Sequence, residues 1–382
     1  SPGSYGTLFY PVGLLAAFLL LRDRPMDHFR IAILLLSVSD TVASFGTFRR
    51  RGNPRFSLPT EEKSLWGTVG FAVTAFLIFR IFLPGPPDRD LSYLLVAVAV
   101  AINLEIFSHR GSDNLSIPVG TALFLRFTVD GLNRPAALLA IIVIVGIGSV
   151  LIHRLGILTK LGSMTAYGLG LYYFAVLGYR WLLPVAAFFA SSVLFTRIHS
   201  RMEHIDPRSG GRNAWQVLAN IAVATASSAA FLASGETFWR YSFIAAVAAV
   251  TADTWASEIG PMVHRRSFSL AHGQLRESGV SGGLSPAGTL AAVAGSFGIS
   301  WIALALFSES ADAGLILALT ASGVLASLVD SVLGAFVEPR LEQWTFFLGR
   351  HGPDRISPND AVNFLASLSA LLFFRLLRPL IG

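Results

Sequence analysis

The chain has no cysteine among its 382 residues. A disulfide framework, a thiolate metal site and a cysteine nucleophile are therefore excluded. Charge is scarce as well: Asp, Glu, Lys and Arg make up 14% of the chain against 53% hydrophobic residues, and histidine occurs only eight times. The Gly-x-x-x-x-Gly-Lys-Ser/Thr loop of P-loop nucleotide enzymes is also missing. A mean hydropathy of +0.61 over such a length is too apolar for a water-soluble fold. Lipid must be the main solvent.

The apolar stretches are many, closely spaced and near the roughly 20 residues that a membrane helix needs. They lack the short alternating segments of an outer-membrane barrel. The net charge of +6 and pI ≈ 10.0 would suit nucleic acid. Here the basic residues sit in loops between apolar runs, where they report topology and anionic headgroups, so nucleic acid is not an expected partner. Ser1-Pro2-Gly3-Ser4 reads as a processed end or an expression scar, which leaves the native N-terminus open.

Apolar runs and their breakers predict spans near 6–22, 28–46, 65–83, 91–107, 115–129, 135–153, 164–179, 181–196, 213–232, 238–260, 286–307, 314–337 and 361–380. The expected fold is all-α, a polytopic transmembrane bundle of about 13 helices. With that count the basic loops fall on one side: Arg49 to Arg51, Arg55 and Lys63; Arg110; Arg154 and Lys160; Arg197 to Arg212; Arg265 to Arg276; Arg340 to Arg355. The positive-inside rule puts them in the cytoplasm.

Asp40-Thr41-Val42-Ala43-Ser44 and Asp253-Thr254-Trp255-Ala256-Ser257 are nearly one pentapeptide, each closing an apolar helix before a basic loop. A second pair of elements opens the following helix, Lys63-Ser64-Leu65-Trp66-Gly67-Thr68 and Gly283-Leu284-Ser285-Pro286-Ala287-Gly288-Thr289. The order predicts two parallel copies of one membrane module. Small residues also recur at the helix contacts of any bundle, but that leaves the acids unexplained.

An acid in a membrane span costs about 2.5–3.5 kcal/mol on insertion scales. Asp40, Glu105, Asp253, Glu258 and Asp330 are therefore candidate catalytic residues, although an acid near a helix end can also snorkel or pair with Arg. Asp253 and Ser257 share a helix face at i, i+4, with Thr254 and Glu258 beside them. Such oxygen-rich surroundings suit Mg²⁺, and Asp253, Glu258, Asp330 and, in the first half, Asp40 are the expected metal carboxylates. Arg212, Gln216 and Asn220 recur at i, i+4, i+8 and must face either a neighbouring helix or a ligand. Ser281-Gly282-Gly283, leading into a helix with Pro in its first turn, offers a phosphate cradle. Arg265 and Arg266 add charge there. Phosphoryl transfer needs these parts: a metal, cations around the phosphates and a positioned acceptor.

Residues 135–382 resemble the membrane family that includes the plant phytyl-phosphate kinase. The resemblance rests on Gly211-Arg212-Asn213-Ala214-x-Gln216-Val217-Leu218-Ala219-Asn220, Ala252-Asp253-Thr254-Trp255-Ala256-Ser257-Glu258-Ile259-Gly260, Ser281-Gly282-Gly283, Asp330-Ser331-x-Leu333-Gly334-Ala335 and Asn359-Asp360-x-x-Asn363. Residues 5–130 look more loosely like the later part of the phytol kinase and dolichol kinase group, through Ser39-Asp40-Thr41, Lys63-Ser64, Glu105 and Asp113-Asn114. An earlier helix with Glu, Arg-Lys and His, usual in that group, has no counterpart here, so the first module reads as incomplete at its N-terminus or inactive. His264-Arg265-Arg266 through Arg276 replaces a more Lys- and Thr-rich loop.

The resemblance implies a nucleotide donor, CTP above others, a divalent cation, and phosphorylation of an isoprenoid alcohol or its monophosphate to the diphosphate. A bifunctional enzyme would perform both steps. It adds Asn213, Asn359 and Asn363 to the expected nucleotide contacts and gives Lys63 and Ser64 that role in the first half. Membrane lipids are the remaining expected partner. A CTP-dependent cytidylyltransferase and, in another class, a lipid transporter or flippase are the alternatives.

Overall fold

The computed structural model describes residues 6–46, 55–57, 62–83, 91–106, 108, 111–127, 135–202, 211–264, 266–277, 282–308, 312–347 and 356–381. The expected helical membrane bundle is what forms. Two compact units divide between Gly148 and Ser149, and each is described by itself.

The first unit holds α1 (Gly6–Leu21), α2 (Met26–Leu34) and α3 (Asp40–Gly46), with a wider π-helical stretch, Leu35–Ser39, joining the last two. An antiparallel pair follows, β1 (Arg55–Ser57) and β2 (Glu62–Ser64), then α4 (Leu65–Phe82), α5 (Leu91–Ile106) and α6 (Asp113–Phe127). Helix α7 (Pro135–Arg154) carries the boundary between units. Helix α1 packs on α6, and α4 on α3 and α5. The turn after α1 is clipped to the end of α6, where Arg126 donates to the Leu20 carbonyl and to the Asp23 carboxylate.

The second unit holds α8 (Lys160–Leu171), which passes through a π-helical stretch, Tyr172–Leu177, before α9 (Tyr179–Met202), α10 (Ala214–Ser234) and α11 (Thr237–Val263). A three-stranded sheet of order β4-β3-β5 comes next, from β3 (Arg266–Ser269), β4 (Gln274–Glu277) and β5 (Gly283–Leu284). Helices α12 (Pro286–Leu306), α13 (Ala313–Phe336), α14 (Glu338–Phe347) and α15 (Pro358–Ile381) complete it.

Helix α11 is the axis of this unit, packed by α9, α10, α12, α13 and α15. Every residue from Tyr241 to Ala252 is buried, as expected of a helix enclosed on all sides. Small residues let the backbones close in. A Cβ on Gly323 of α13 would lie 2.3 Å from Ser296 Oγ and 3.0 Å from the Ala248 backbone carbon.

Seven of the described helices are long and apolar enough to cross a membrane. Helix α11 is not among them, despite its 27 residues, because Arg240, Asp253 and Glu258 dilute its hydropathy. Its neighbours shield it from lipid. At its first turn the Arg240 guanidinium lies 5.6 Å from the Phe231 ring centre and 5.5 Å from that of Phe307, and Arg378 lies 4.9 Å from that of Tyr241. Cation–π contact thus seats cations at the end away from Asp253.

Each expected span corresponds to a helix, with ends shifted by a few residues. The sequence reading gave no sign of α14, whose ten residues carry no helical periodicity, or of the short strands in the loops.

Candidate active site

A cavity of about 400 Å³ opens at the end of the second unit where α11 finishes and α12 and α15 begin. Arg212, Gln216 and Asn220 form one wall, with Asp253, Thr254, Ser257 and Glu258 of α11 beside them. Gly282 to Ser285 and Ser267 of β3 make the rim. Asp330, Ser331 and Glu338 come from α13 and the start of α14, and Asn359 and Asn363 from α15. Deeper down, Ala292, Val324 and Leu328 give the cavity an apolar side.

Local structure fixes these groups. The Arg212 backbone is tied down twice, its N–H donating to the Ile157 carbonyl at 3.1 Å and its carbonyl accepting from Thr159 N–H at 3.0 Å. Asn213 and Gln216 then form a capping box on α10, each side-chain oxygen accepting the other's backbone N–H at 2.9 Å. At α15 Ser357 and Asp360 repeat the device, with Pro358 at the first helical position. Ser285 caps α12 by accepting from Gly288 N–H at 3.1 Å. Gly282 holds φ +76°, and a Cβ there would lie 2.5 Å from that of Ala335, so the rim packs against α13 only as glycine.

The carboxyls of Asp253 and Asp330 meet between α11 and α13. Two carboxylates at contact repel, so a proton or a cation must sit between them. Next to them Asn363 Nδ2 donates to Asn220 Oδ1 at 3.2 Å, and both asparagines line the cavity. Glu258 is held differently: Thr196 Oγ1 donates to its Oε1 at 2.5 Å and His199 Nδ1 lies 2.8 Å from its Oε2. Burial lowers the Arg212 guanidinium from its ordinary value, and the nearby Glu258 carboxylate offsets only part of that. A guanidinium stays charged in such surroundings.

Among the described residues no group of three or more His, Cys, Asp or Glu forms a metal cage. Mg²⁺ does not require one, since it takes one or two carboxylates and fills its shell with water and phosphate oxygens. Asp253 and Asp330 fit that demand as the carboxylates, with amide oxygens of Asn220 and Asn363 close by. Glu258 is committed to α9, and Asp40 belongs to the first unit.

Of the nucleotide contacts expected from sequence, Arg212, Gln216, Asn220, Gly282, Gly283, Asn359 and Asn363 share the cavity with Asp253, Asp330 and Glu258. Asn213 turns to the helix cap instead. Arg266 is exposed on β3 and does not line the cavity. Arg265 and Ser281 lie outside the described residues. In the first unit Lys63 Nζ and Glu105 Oε1 form a buried ion pair at 2.7 Å, and Ser64 Oγ caps α4, accepting from Gly67 N–H at 3.0 Å. Asp40 opens α3 directly after the π-helical stretch. Ser267, Ser327 and Glu338 escaped the sequence reading, as did Thr196 and His199 behind the wall. Ser285 stood in the glycine-rich segment already singled out.

No solved structure matches the chain with statistical significance. It is 28% identical over 215 residues to an uncharacterized membrane protein of Methanocaldococcus jannaschii, covering 55% of this chain and 87% of that one. It is 36% identical to phytol kinase of Synechocystis over 125 residues, 31% of this chain and 53% of the kinase, so only about half of that enzyme is spanned. It is 26% identical to Protein PGR of Arabidopsis thaliana over 234 residues, 50% of this chain and 79% of that protein. Residues 142–371, more than half of the chain and nearly all of the second unit, match the family described as Integral membrane protein DUF92. The chain belongs to the DUF92 family of integral membrane proteins.

Proposed function

We propose that the second unit is an isoprenyl-phosphate kinase, transferring the terminal phosphoryl group of a nucleotide, CTP by preference, to a lipid monophosphate. The observation that carries this reading is one cavity that combines a paired acid, a half-buried guanidinium and an apolar side. The similarity to a phytol kinase supports it.

In this reading Arg212 and the Gly282 to Ser285 rim hold phosphate oxygens, and Asp253 with Asp330 holds Mg²⁺. The ion supplies charge neutralisation at the phosphates. The acceptor monophosphate arrives largely ionised, with a second pKa near about 6, so no general base is needed. Its oxygen forms the new P–O bond as the bond to the departing nucleoside diphosphate breaks. The isoprenoid tail lies along Ala292, Val324 and Leu328, away from water. The cavity mouth faces the cytoplasm, where nucleotide is available.

The first unit we read as a relative of the isoprenol kinases. Its Lys63 is already matched by Glu105, which favours the second unit as the site of transfer.

Purified protein given CTP labelled at the terminal phosphate, Mg²⁺ and phytyl monophosphate should yield labelled phytyl diphosphate and CDP. Asp253→Asn should abolish that conversion. Release of pyrophosphate with a CMP-bearing lipid would instead identify a cytidylyltransferase. Full conversion by Asp253→Asn would overturn the proposed site.

A further inference from the structure

Glu258 and Arg212 line the same cavity, carry opposite charges and interact electrostatically. Yet among the described residues no ion pair joins them. Carboxylate and guanidinium make strong bidentate pairs, more so away from bulk water. Something must hold these two apart.

Helix α9 does so. Thr196 and His199 stand on one face of it at i, i+3 and between them occupy both oxygens of the Glu258 carboxylate, at 2.5 Å and 2.8 Å. The Thr196 hydroxyl has a single proton, and that proton goes to Glu258. Its lone pairs are then turned to Arg212, whose Nη2 lies 3.4 Å from the same oxygen. One hydroxyl thus separates an anion from a cation. Neither Thr196 nor His199 lines the cavity, so neither can act on a bound ligand directly.

We propose that Thr196 and His199 are positioning residues that keep Glu258 on α9 so that Arg212 presents its donors to an anionic ligand. The proposal rests on the reading of Arg212 as a phosphate-binding residue. Without the α9 clamp Glu258 competes with the ligand for the guanidinium, and the anion site cancels itself.

The test measures binding of pyrophosphate with Mg²⁺ to the full-length protein in detergent by titration calorimetry, with thermal melting alongside. His199→Ala and Thr196→Val should each weaken pyrophosphate binding by about tenfold, the effect of losing one hydrogen bond to a charged group. Thr196→Ser, which keeps the hydroxyl, should bind as the unmodified protein does. The decisive variant is His199→Ala with Glu258→Gln, because a neutral amide no longer competes for Arg212 and the lost affinity should return.

A clamp that only fastens α9 to α11 gives a different pattern. Melting would fall in both single variants, the folded protein would keep its affinity, and Glu258→Gln would rescue nothing. That pattern overturns the proposal, as does additive weakening in the double variant. If the unmodified protein binds neither pyrophosphate nor CTP, the phosphate-binding reading of Arg212 falls first and takes the clamp with it. Normal binding that His199→Ala leaves untouched removes the clamp alone.

Discussion

Asp253 on α11 and Asp330 on α13 bring their carboxyls together in the wall of the cavity, each half-buried between the two helices. The arrangement costs stability when the pair is empty and is relieved when a cation enters. Asp330→Asn should therefore raise the melting temperature of the protein held in chelator. Phosphoryl transfer should fall by at least about 100-fold, near 2.7 kcal/mol in the barrier. A melting temperature lowered by the substitution would contradict this account of the pair.

Lys63 and Glu105 pose the opposite case, a buried pair already neutral. Removing one partner leaves a charge without its counterion, which costs about 3–5 kcal/mol. Lys63→Met should lower the melting temperature sharply, and Lys63→Met with Glu105→Gln should recover most of the loss. If the double variant melts no higher than the single one, the pair is not what stabilises this end of α5.

The apolar side of the cavity predicts chain-length discrimination. Val324→Trp fills space beside Leu328 and Ala292, so the KM for phytyl monophosphate should rise about tenfold or more, the discrimination that a few methylene groups supply in an apolar pocket. The KM for dimethylallyl monophosphate, too short to reach Val324, should stay unchanged. Equal effects on both acceptors would place the tail elsewhere.

In the first unit Arg126 donates a hydrogen bond to Asp23 and holds its carboxyl below the ordinary value of 3.8. A carboxyl with a depressed folded value adds stability above the unfolded value and loses it as pH falls through the folded one. The clip between α1 and α6 should therefore weaken only below about pH 4. Because Asp23 is exposed, the change should be small and should shrink further in high salt. Asp23→Asn should remove it, which melting curves between pH 2.5 and 6 in two salt concentrations would reveal through their difference from the unmodified chain.

The helices were readable because lipid imposes one rule on every span, an apolar run of sufficient length, and that rule needs no partner. The grouping of Asp253, Thr254, Ser257 and Glu258 was readable for a similar reason, since a single helix fixes their spacing. Residues whose role depends on another helix were not. Asn213 and Asn220 are the same amino acid a few residues apart, yet one caps a helix and the other faces the cavity, and only the loop geometry before α10 separates them. The contacts that Thr196 and His199 make to Glu258 come from α9, about 60 positions earlier, with no motif to announce the pairing. The phosphate cradle foreseen at Ser281 to Gly288 is partly closed by Ser285, which satisfies the Gly288 N–H.

Helix α11, enclosed by five neighbours and too polar to qualify as a span alone, bears on how the protein is made. A segment carrying Arg240, Asp253 and Glu258 gains little from partitioning singly out of the insertion machinery into bilayer. It needs α9 and α10 waiting on one side and α12 following closely on the other. Coupled biogenesis of the second unit is the expected consequence: α11 should enter the membrane with company, and a ribosome stalled after α11 but before α12 should leave a chain whose axis is not yet retained by lipid.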